Sequence, residues 1–145
     1  MTKRRKKRSR KPAPVLRSLL EDAIAEELGR CGVPYEYESL RLSYVIPESD
    51  HTYTPDFVFP NGVVVECKGK LCIETRRKML LVKQQNPDVD LRMLFDQNNL
   101  LVRRGKYRYS DWARQKGFPC CFMRPGKTVD QDDDWQTILV RWASE

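Results

Sequence analysis

Residues 52–70 constrain this 145-residue chain more than any other stretch. They read Thr-Tyr-Thr-Pro-Asp-Phe-Val-Phe-Pro-Asn-Gly-Val-Val-Val-Glu-Cys-Lys-Gly-Lys. Two short runs, Phe57-Val58-Phe59 and Val63-Val64-Val65, are aromatic and β-branched, the composition of a pleated, buried surface. Between them stands Pro60-Asn61-Gly62. Asn and Gly tolerate positive φ and Pro presets its own, so the stretch is predicted to fold back on itself as a β-hairpin. Asp56, Glu66 and Lys68 are then charged groups on an apolar unit.

Side chains alternate faces along a strand, so the length of the turn decides where these charges go. A two-residue loop, Asn61-Gly62, would pair Phe57 with Glu66 and put Asp56 on the opposite face. A three-residue loop pairs Phe59 with Val63, Phe57 with Val65 and Asp56 with Glu66. The second register collects Phe57, Phe59, Val63 and Val65 on one face. It places Asp56, Glu66 and Lys68 on the other, with Val58 and Val64. It is preferred because it separates aromatic packing from charge, and it leaves Cys67 on the packing side. Carboxylates facing each other across two strands lie roughly 5 Å apart at Cβ. They repel and raise a pKa unless a cation lies between them. Oxygen ligands of this kind suit a hard divalent ion such as Mg²⁺.

The length fits one domain around one core. Eight of the 27 basic residues, Lys3, Arg4, Arg5, Lys6, Lys7, Arg8, Arg10 and Lys11, stand together, and the other 19 nearly balance the 20 acids. The net positive charge is therefore an N-terminal arm over residues 1–14, expected to be disordered and to contact nucleic acid. A solubility tail or a localisation signal is the plainer alternative. No apolar run is long enough to span a membrane, and no apolar segment follows the arm as in a signal peptide. The five cysteines are scattered and odd in number, as for free thiols in a reducing compartment. With no C-x-x-C and one histidine, a structural zinc site is not expected.

Residues 16–32 are predicted to form an amphipathic helix, with Leu16, Leu19, Leu20, Ala23, Ile24 and Leu28 at helical spacing. Ser18 is placed to cap it, with Glu21 three residues on as in a capping box. Periodicity alone reads Glu21 as a cap residue and does not choose it over Glu27. Residues 35–44 alternate like one strand, extended by Val45-Ile46-Pro47. A turn is expected over residues 48–51. It carries His51, whose readings in order are a structural hydrogen bond, DNA contact and proton transfer. Residues 74–85 form a second helix, stopped at Asn86-Pro87, with Thr75 a possible cap. Its Met79, Leu80 and Val82 can pack inward. Arg76, Arg77 and Lys78 form either an ordinary solvated face or a phosphate contact. Strands are expected at 91–95, 100–104 and 119–123, and a helix capped by Ser110 runs to Lys116. Asp130, Asp132, Asp133 and Asp134 form an acidic cluster without an EF-hand pattern, before an apolar segment over 135–142 able to dock. The domain is thus placed over 15–125, with an acidic segment over 126–145 packed on it. The fold class is α/β, a mixed sheet flanked by helices.

Pro55-Asp56 followed by Glu66-Cys67-Lys68 resembles the PD-(D/E)xK signature of the restriction-endonuclease-like nucleases. The wider set is more specific: Glu21 on a preceding helix, Tyr44-Val45-Ile46-Pro47, the run from His51 to Phe57, Pro60-Asn61-Gly62 and Glu66-x-Lys68-Gly69. Together they resemble the endonuclease I family of T-odd bacteriophages, which resolve four-way (Holliday) DNA junctions. The likeness runs from about Arg17 to Phe95 and faintly to Phe118.

The resemblance implies a restriction-endonuclease-like fold. It makes Asp56, Glu66 and Glu21 ligands of one or two Mg²⁺ or Mn²⁺ ions and Lys68 the group that orients or activates water. The reaction implied is hydrolysis of a phosphodiester in branched DNA, leaving a 5′-phosphate, with no covalent nucleophile and no small-molecule cofactor. It further implies an intertwined, domain-swapped homodimer bridged by residues 43–47, with Glu21 supplied by one subunit and Asp56, Glu66 and Lys68 by the other. The setting implied is the cytoplasm of a bacterial host, encoded by a phage or prophage. The chain departs from the family in its acidic end, where relatives carry a basic tail. The arm would then take over contacts that the tail makes elsewhere. Two alternatives stand beside this reading. One is another PD-(D/E)xK nuclease, of mismatch or transposon-end type; the other is a basic DNA-binding module without catalysis.

Overall fold

A computed structural model describes residues 18–46 and 48–145. The arm, Leu16 and Pro47 lie outside the described residues. The elements run α1 (Leu19–Arg30), β1 (Glu36–Tyr37), β2 (Leu42–Ile46), β3 (Ser49–Tyr53), β4 (Phe57–Val58), β5 (Val64–Lys68), α2 (Ile73–Gln85), β6 (Leu91–Gln97), α3 (Tyr109–Lys116), β7 (Cys120–Arg124) and α4 (Trp135–Ser144). Five strands form a mixed sheet in the order β1-β4-β5-β6-β7, and β2 and β3 pair separately.

The hairpin has the three-residue register. Phe57 pairs with Val65 and Val58 with Val64, and the Phe59 amide donates to the Val63 carbonyl at 2.9 Å. Gly62 takes φ 90°, open to glycine and costly for a residue with a Cβ. Asn61 accepts from the Val63 amide through Oδ1 at 3.0 Å, and its Nδ2 donates to the Trp142 carbonyl at 2.8 Å. One turn residue thus closes the hairpin and anchors the last helix.

From β5 the sheet becomes parallel. The α2 and α3 crossovers join β5 to β6 and β6 to β7, as parallel pairing requires. Alternation sends Phe57, Phe59, Val63, Val65, Cys67, Leu94 and Cys121 to one face, against Ile24 and Leu28 of α1 and Leu139 and Trp142 of α4. Val64, Met93, Phe95 and Phe122 line the other, against Met79 and Val82 of α2, Trp112 of α3, and Leu42, Tyr44 and Tyr53 of the β2–β3 hairpin. The mixed sheet flanked by helices is as expected. In the acidic segment, Asp134 caps α4 by accepting from the Thr137 amide at 2.7 Å.

Several local expectations fail. The strand over 35–44 is broken, because Glu38 takes φ 48°, a left-handed conformation that no strand continues through. Its first half joins the main sheet as β1 and its second half leaves as β2. The turn expected over 48–51 shrinks to the hairpin bend, and Ser49 to His51 enter β3. Residues 100–104 are not a strand. Leu100 bridges Arg108 once, and the backbone turns tightly between Val102 and Gly105. Cys72 occupies the N-cap position of α2 and Arg108 that of α3, where Thr75 and Ser110 were expected. Leu19, expected on the apolar stripe, is 88% exposed at the first position of α1.

Trp142 tests whether the last segment belongs to the core. It is 6% exposed and stacks under the Arg92 guanidinium at 5.4 Å. Trp142→Ala should lower stability by about 3–5 kcal/mol in urea unfolding. A loss below about 1 kcal/mol would make α4 an appendage.

Candidate active site

The site lies where β4 and β5 part. Backbone pairing between them stops at Phe57 and Val65, so the Cys67 amide has no strand acceptor across the gap. The Asp56 side chain supplies one: its Oδ2 accepts from the Cys67 amide at 2.8 Å. Asp56 is therefore held by the same backbone that carries Glu66 and Lys68. On β5 the Cys67 side chain points into the α1/α4 core, where burial pushes its thiol pKa well up, in keeping with a packing role.

Glu66 is almost fully buried. The Tyr53 hydroxyl donates to its Oε2, and Lys68 Nζ lies 2.6 Å from its Oε1. Burial works against the charge of Lys68, but the Glu66 carboxylate outweighs it and raises the lysine pKa. Lys68 is thus an ammonium. Lys78 of α2 lies 5.0 Å over the Tyr53 ring and lines the same cleft.

Glu21 arrives from α1. It is 6% exposed, with Oε2 accepting from Ser18 Oγ at 2.6 Å and Oε1 from the Tyr37 hydroxyl at 2.8 Å. Ser18 also caps the helix by accepting from the Glu21 amide at 3.1 Å. Burial opposes ionisation of Glu21, but these hydrogen bonds, Asp56 and the Lys68 charge together hold its pKa below the ordinary value. Glu27, the alternative on periodicity, faces away and pairs with Arg30.

The structure adds a residue that sequence reasoning missed. Glu38 donates its amide to the Asp56 carbonyl at 3.2 Å, and this contact sits at its left-handed φ. Carboxylate oxygens of Glu21, Glu38 and Asp56 all come within 4.8 Å of one another. A non-glycine residue with positive φ is a recognised sign of a functional position, but no sequence pattern announces it. All five groups, Glu21, Glu38, Asp56, Glu66 and Lys68, line one cleft of about 460 Å³.

Burial, and then the Glu66 charge, push the Asp56 pKa up to about 8, with Glu21 adding to the rise. Two carboxylates beside a third that resists ionising form an all-oxygen donor set short of positive charge. Such a set fits a hard divalent cation, whose charge would return Asp56 to its ionised form.

The remaining expected residues are less central. Arg77 is exposed, and Arg76 is half-buried with its Nε unpartnered. His51 sits on the exposed β2–β3 hairpin, hydrogen-bonded to Ser49 at 2.7 Å and packed on Tyr44; its structural reading is the one observed. The basic residues Lys3 to Lys11 lie outside the described residues.

The raised pKa has a consequence for stability. Asp56 releases its proton near pH 8 when folded and near its ordinary 3.8 when unfolded. The folded state therefore holds a proton that the unfolded state gives up. That contribution is full below about pH 4 and is lost as pH rises through about 8. Asp56→Asn should leave the melting temperature of the metal-free protein unchanged near pH 4 and raise it at about pH 8. Calorimetry across that range checks this; a variant destabilised equally at both ends contradicts it.

Comparison with known proteins places the chain among relatives. A family model described as phage endonuclease I matches residues 1–123. Endodeoxyribonuclease 1 of Enterobacteria phage T3 is 41% identical over 102 residues, which cover 70% of this chain and 67% of that protein. Endonuclease I of Escherichia phage T7 is 40% identical over 102 residues, covering 70% and 68%.

Proposed function

The chain belongs to the phage endonuclease I family, and on that premise we propose that it resolves four-way (Holliday) junctions and other branched DNA by metal-dependent phosphodiester hydrolysis. It is a deoxyribonuclease, as its relatives' names state. The observation that carries the mechanistic reading is the convergence of Glu21, Asp56, Glu66 and Lys68 on one cleft at the parting of β4 and β5. The order of the mixed sheet, with the acidic residues on a splayed hairpin, supports a restriction-endonuclease-like fold. A binder without chemistry would gain nothing from three acids facing a phosphate, which disfavours the non-catalytic alternative.

Asp56, Glu66 and Glu21 would hold one or two Mg²⁺ or Mn²⁺ ions. Bound there, the metal supplies Lewis-acid stabilisation of charge on the attacking and leaving oxygens. The protein's own groups do the rest. Lys68, kept as an ammonium by Glu66, donates to the attacking water and offsets phosphate charge. Tyr53 and Tyr37 hold the Glu66 and Glu21 carboxylates in place. Asp56 is kept in register by the Cys67 amide. Lys78 in the cleft, Arg76 and Arg77 next to it on α2, and the basic arm that precedes Ser18 supply cations for the backbone of branched DNA. No helix among the described residues is long and apolar enough to cross a membrane. The working setting is the cytoplasm of a bacterial host, with the gene carried by a phage or prophage.

We further propose a homodimer in which residues 43–47 bridge the subunits. One chain here supplies Glu21 and Asp56 to the same cleft, with β2 and β3 paired as an antiparallel hairpin. Val45 and Ile46, beside that bend, are 46% and 38% exposed, apolar surface that a partner would cover. Opening the bend lets two copies exchange their segments before it while every contact within the site is kept.

Two experiments test these readings. Glu66→Gln or Asp56→Asn should still bind a four-way junction but cut it at least about a hundredfold more slowly, the worth of several kcal/mol of lost charge stabilisation. Undiminished cleavage by either removes the site assignment. Equal cutting of the junction and of a linear duplex of the same sequence removes the resolving activity and favours another nuclease of the superfamily. For the dimer, co-expressed Glu21→Ala and Asp56→Ala chains should regain one working site per heterodimer. Properly assembled heterodimers without any cleavage would show that each site is built within one chain.

A further inference from the structure

We propose that the loop joining β6 to α3, residues 98–108, is a second DNA-contact surface: a preformed cationic tip that grips duplex beside the scissile phosphate. The inference rests on the nuclease reading above and names a part of the DNA-binding surface that the arm and α2 do not supply.

Position comes first. β5, β6 and β7 are parallel, so Lys68, Gln97 and Arg124 end at the same edge of the sheet, with Lys68 paired to Phe95 two residues before the end of β6. The loop therefore leaves the sheet on the side where Glu66 and Lys68 stand. A direct bond ties it there: the Leu71 amide, three residues beyond Lys68, donates to the Tyr109 hydroxyl at 3.1 Å. Ligands in sheets of this kind collect at the carboxyl ends of the parallel strands.

Shape comes second. The base of the loop is pinned by buried Asn98, whose Oδ1 accepts from the Ser110 amide at 3.0 Å and whose Nδ2 donates to Ser110 Oγ at 2.9 Å. The Leu101 amide donates to the Tyr107 carbonyl at 2.9 Å and the Gly105 amide to the Val102 carbonyl at 3.2 Å. A Cβ at Gly105 would lie 2.7 Å from Val102 Cγ2, so the bend leaves little room for a larger residue. An ordered loop loses little conformational freedom on binding.

Charge comes third. Arg103, Arg104 and Lys106 are exposed at the tip. Among the described residues no ion pair joins them to a carboxylate, whereas Arg30, Lys68, Arg92, Arg114, Arg124 and Arg141 are all paired. Three unneutralised cations on a narrow rigid turn, beside exposed Val102 and Tyr107, match a phosphate backbone. Their charge fits an extended polyanion rather than an apolar partner.

The test measures binding of a four-way junction and a linear duplex across a salt series, without divalent metal. The combined variant Arg103→Gln, Arg104→Gln, Lys106→Gln should flatten the plot of log affinity against log salt by about two to three and keep the wild-type melting temperature and Mn²⁺ affinity. A control with Lys83, Arg114 and Lys116 changed to Gln, on the opposite edge of the molecule, should leave the slope near wild type. A tip variant with the wild-type slope overturns the inference while wild-type junction cleavage leaves the nuclease reading standing. A control that flattens the slope equally also overturns it, since only overall charge would then matter. Wild-type protein that binds neither DNA would overturn both.

Discussion

One hydrogen bond organises this molecule: the Cys67 amide donating to the Asp56 carboxylate. Where β4 stops pairing with β5, a backbone donor would be left without an acceptor at the margin of a buried sheet, at a cost of about 1–3 kcal/mol. Asp56 meets that need with a side-chain carboxyl oxygen. The same residue then cannot move away from Glu66 and Lys68, because they ride on the strand it is bonded to. The parting of the strands opens the cleft, and the bond that compensates for it fixes the first acid inside.

Everything else converges on that gap. Helix α1 crosses the Phe57/Val65 face and delivers Glu21 at its first turn, where Ser18 both caps the helix and holds the carboxylate. Glu38 turns left-handed beside Asp56 and ends β1, on the side of β4 away from β5. Tyr53, at the end of β3, reaches Glu66. The result is a cluster of acids that burial and mutual repulsion make costly, visible in the raised pKa of Asp56. Perturbed carboxylates of this kind cluster at functional sites. The divalent cation proposed for this cleft would draw on the same electrostatics that make the cluster costly.

How much of this was legible in the chain differs residue by residue. The register of the hairpin followed from parity alone, because only one turn length separates the aromatic residues from the charges. Asp56, Glu66 and Lys68 could thus be grouped without a structure. Glu21 could not: its spacing equally suits a cap, and the resemblance was needed to select it. In the structure Ser18 caps the helix through the Glu21 amide and also donates to the Glu21 carboxylate. Glu38 was invisible, because a left-handed turn at a glutamate leaves no periodic trace within an alternating segment. The same local break misled the reading of residues 35–44 as one strand. Residues 100–104 were misread for a related reason: an apolar Leu-Leu-Val start looks like a strand until Gly105 and the Asn98 bonds close it into a tip.

The chain by itself determined the elements governed by short-range rules. These are the turn at Pro60-Asn61-Gly62, the alternation along β5 and the helix stops at Asn86-Pro87 and Gly117. Their causes lie within a few residues: steric limits on φ, the two-residue period of a strand and the missing amide of proline. Only the tertiary structure decided where β4 releases β5, that Glu21 and Glu38 join Asp56, and that the tip between β6 and α3 shares an edge with Lys68. Each of these depends on contacts between residues far apart in sequence, whose free energy exists only once both faces of the sheet are packed.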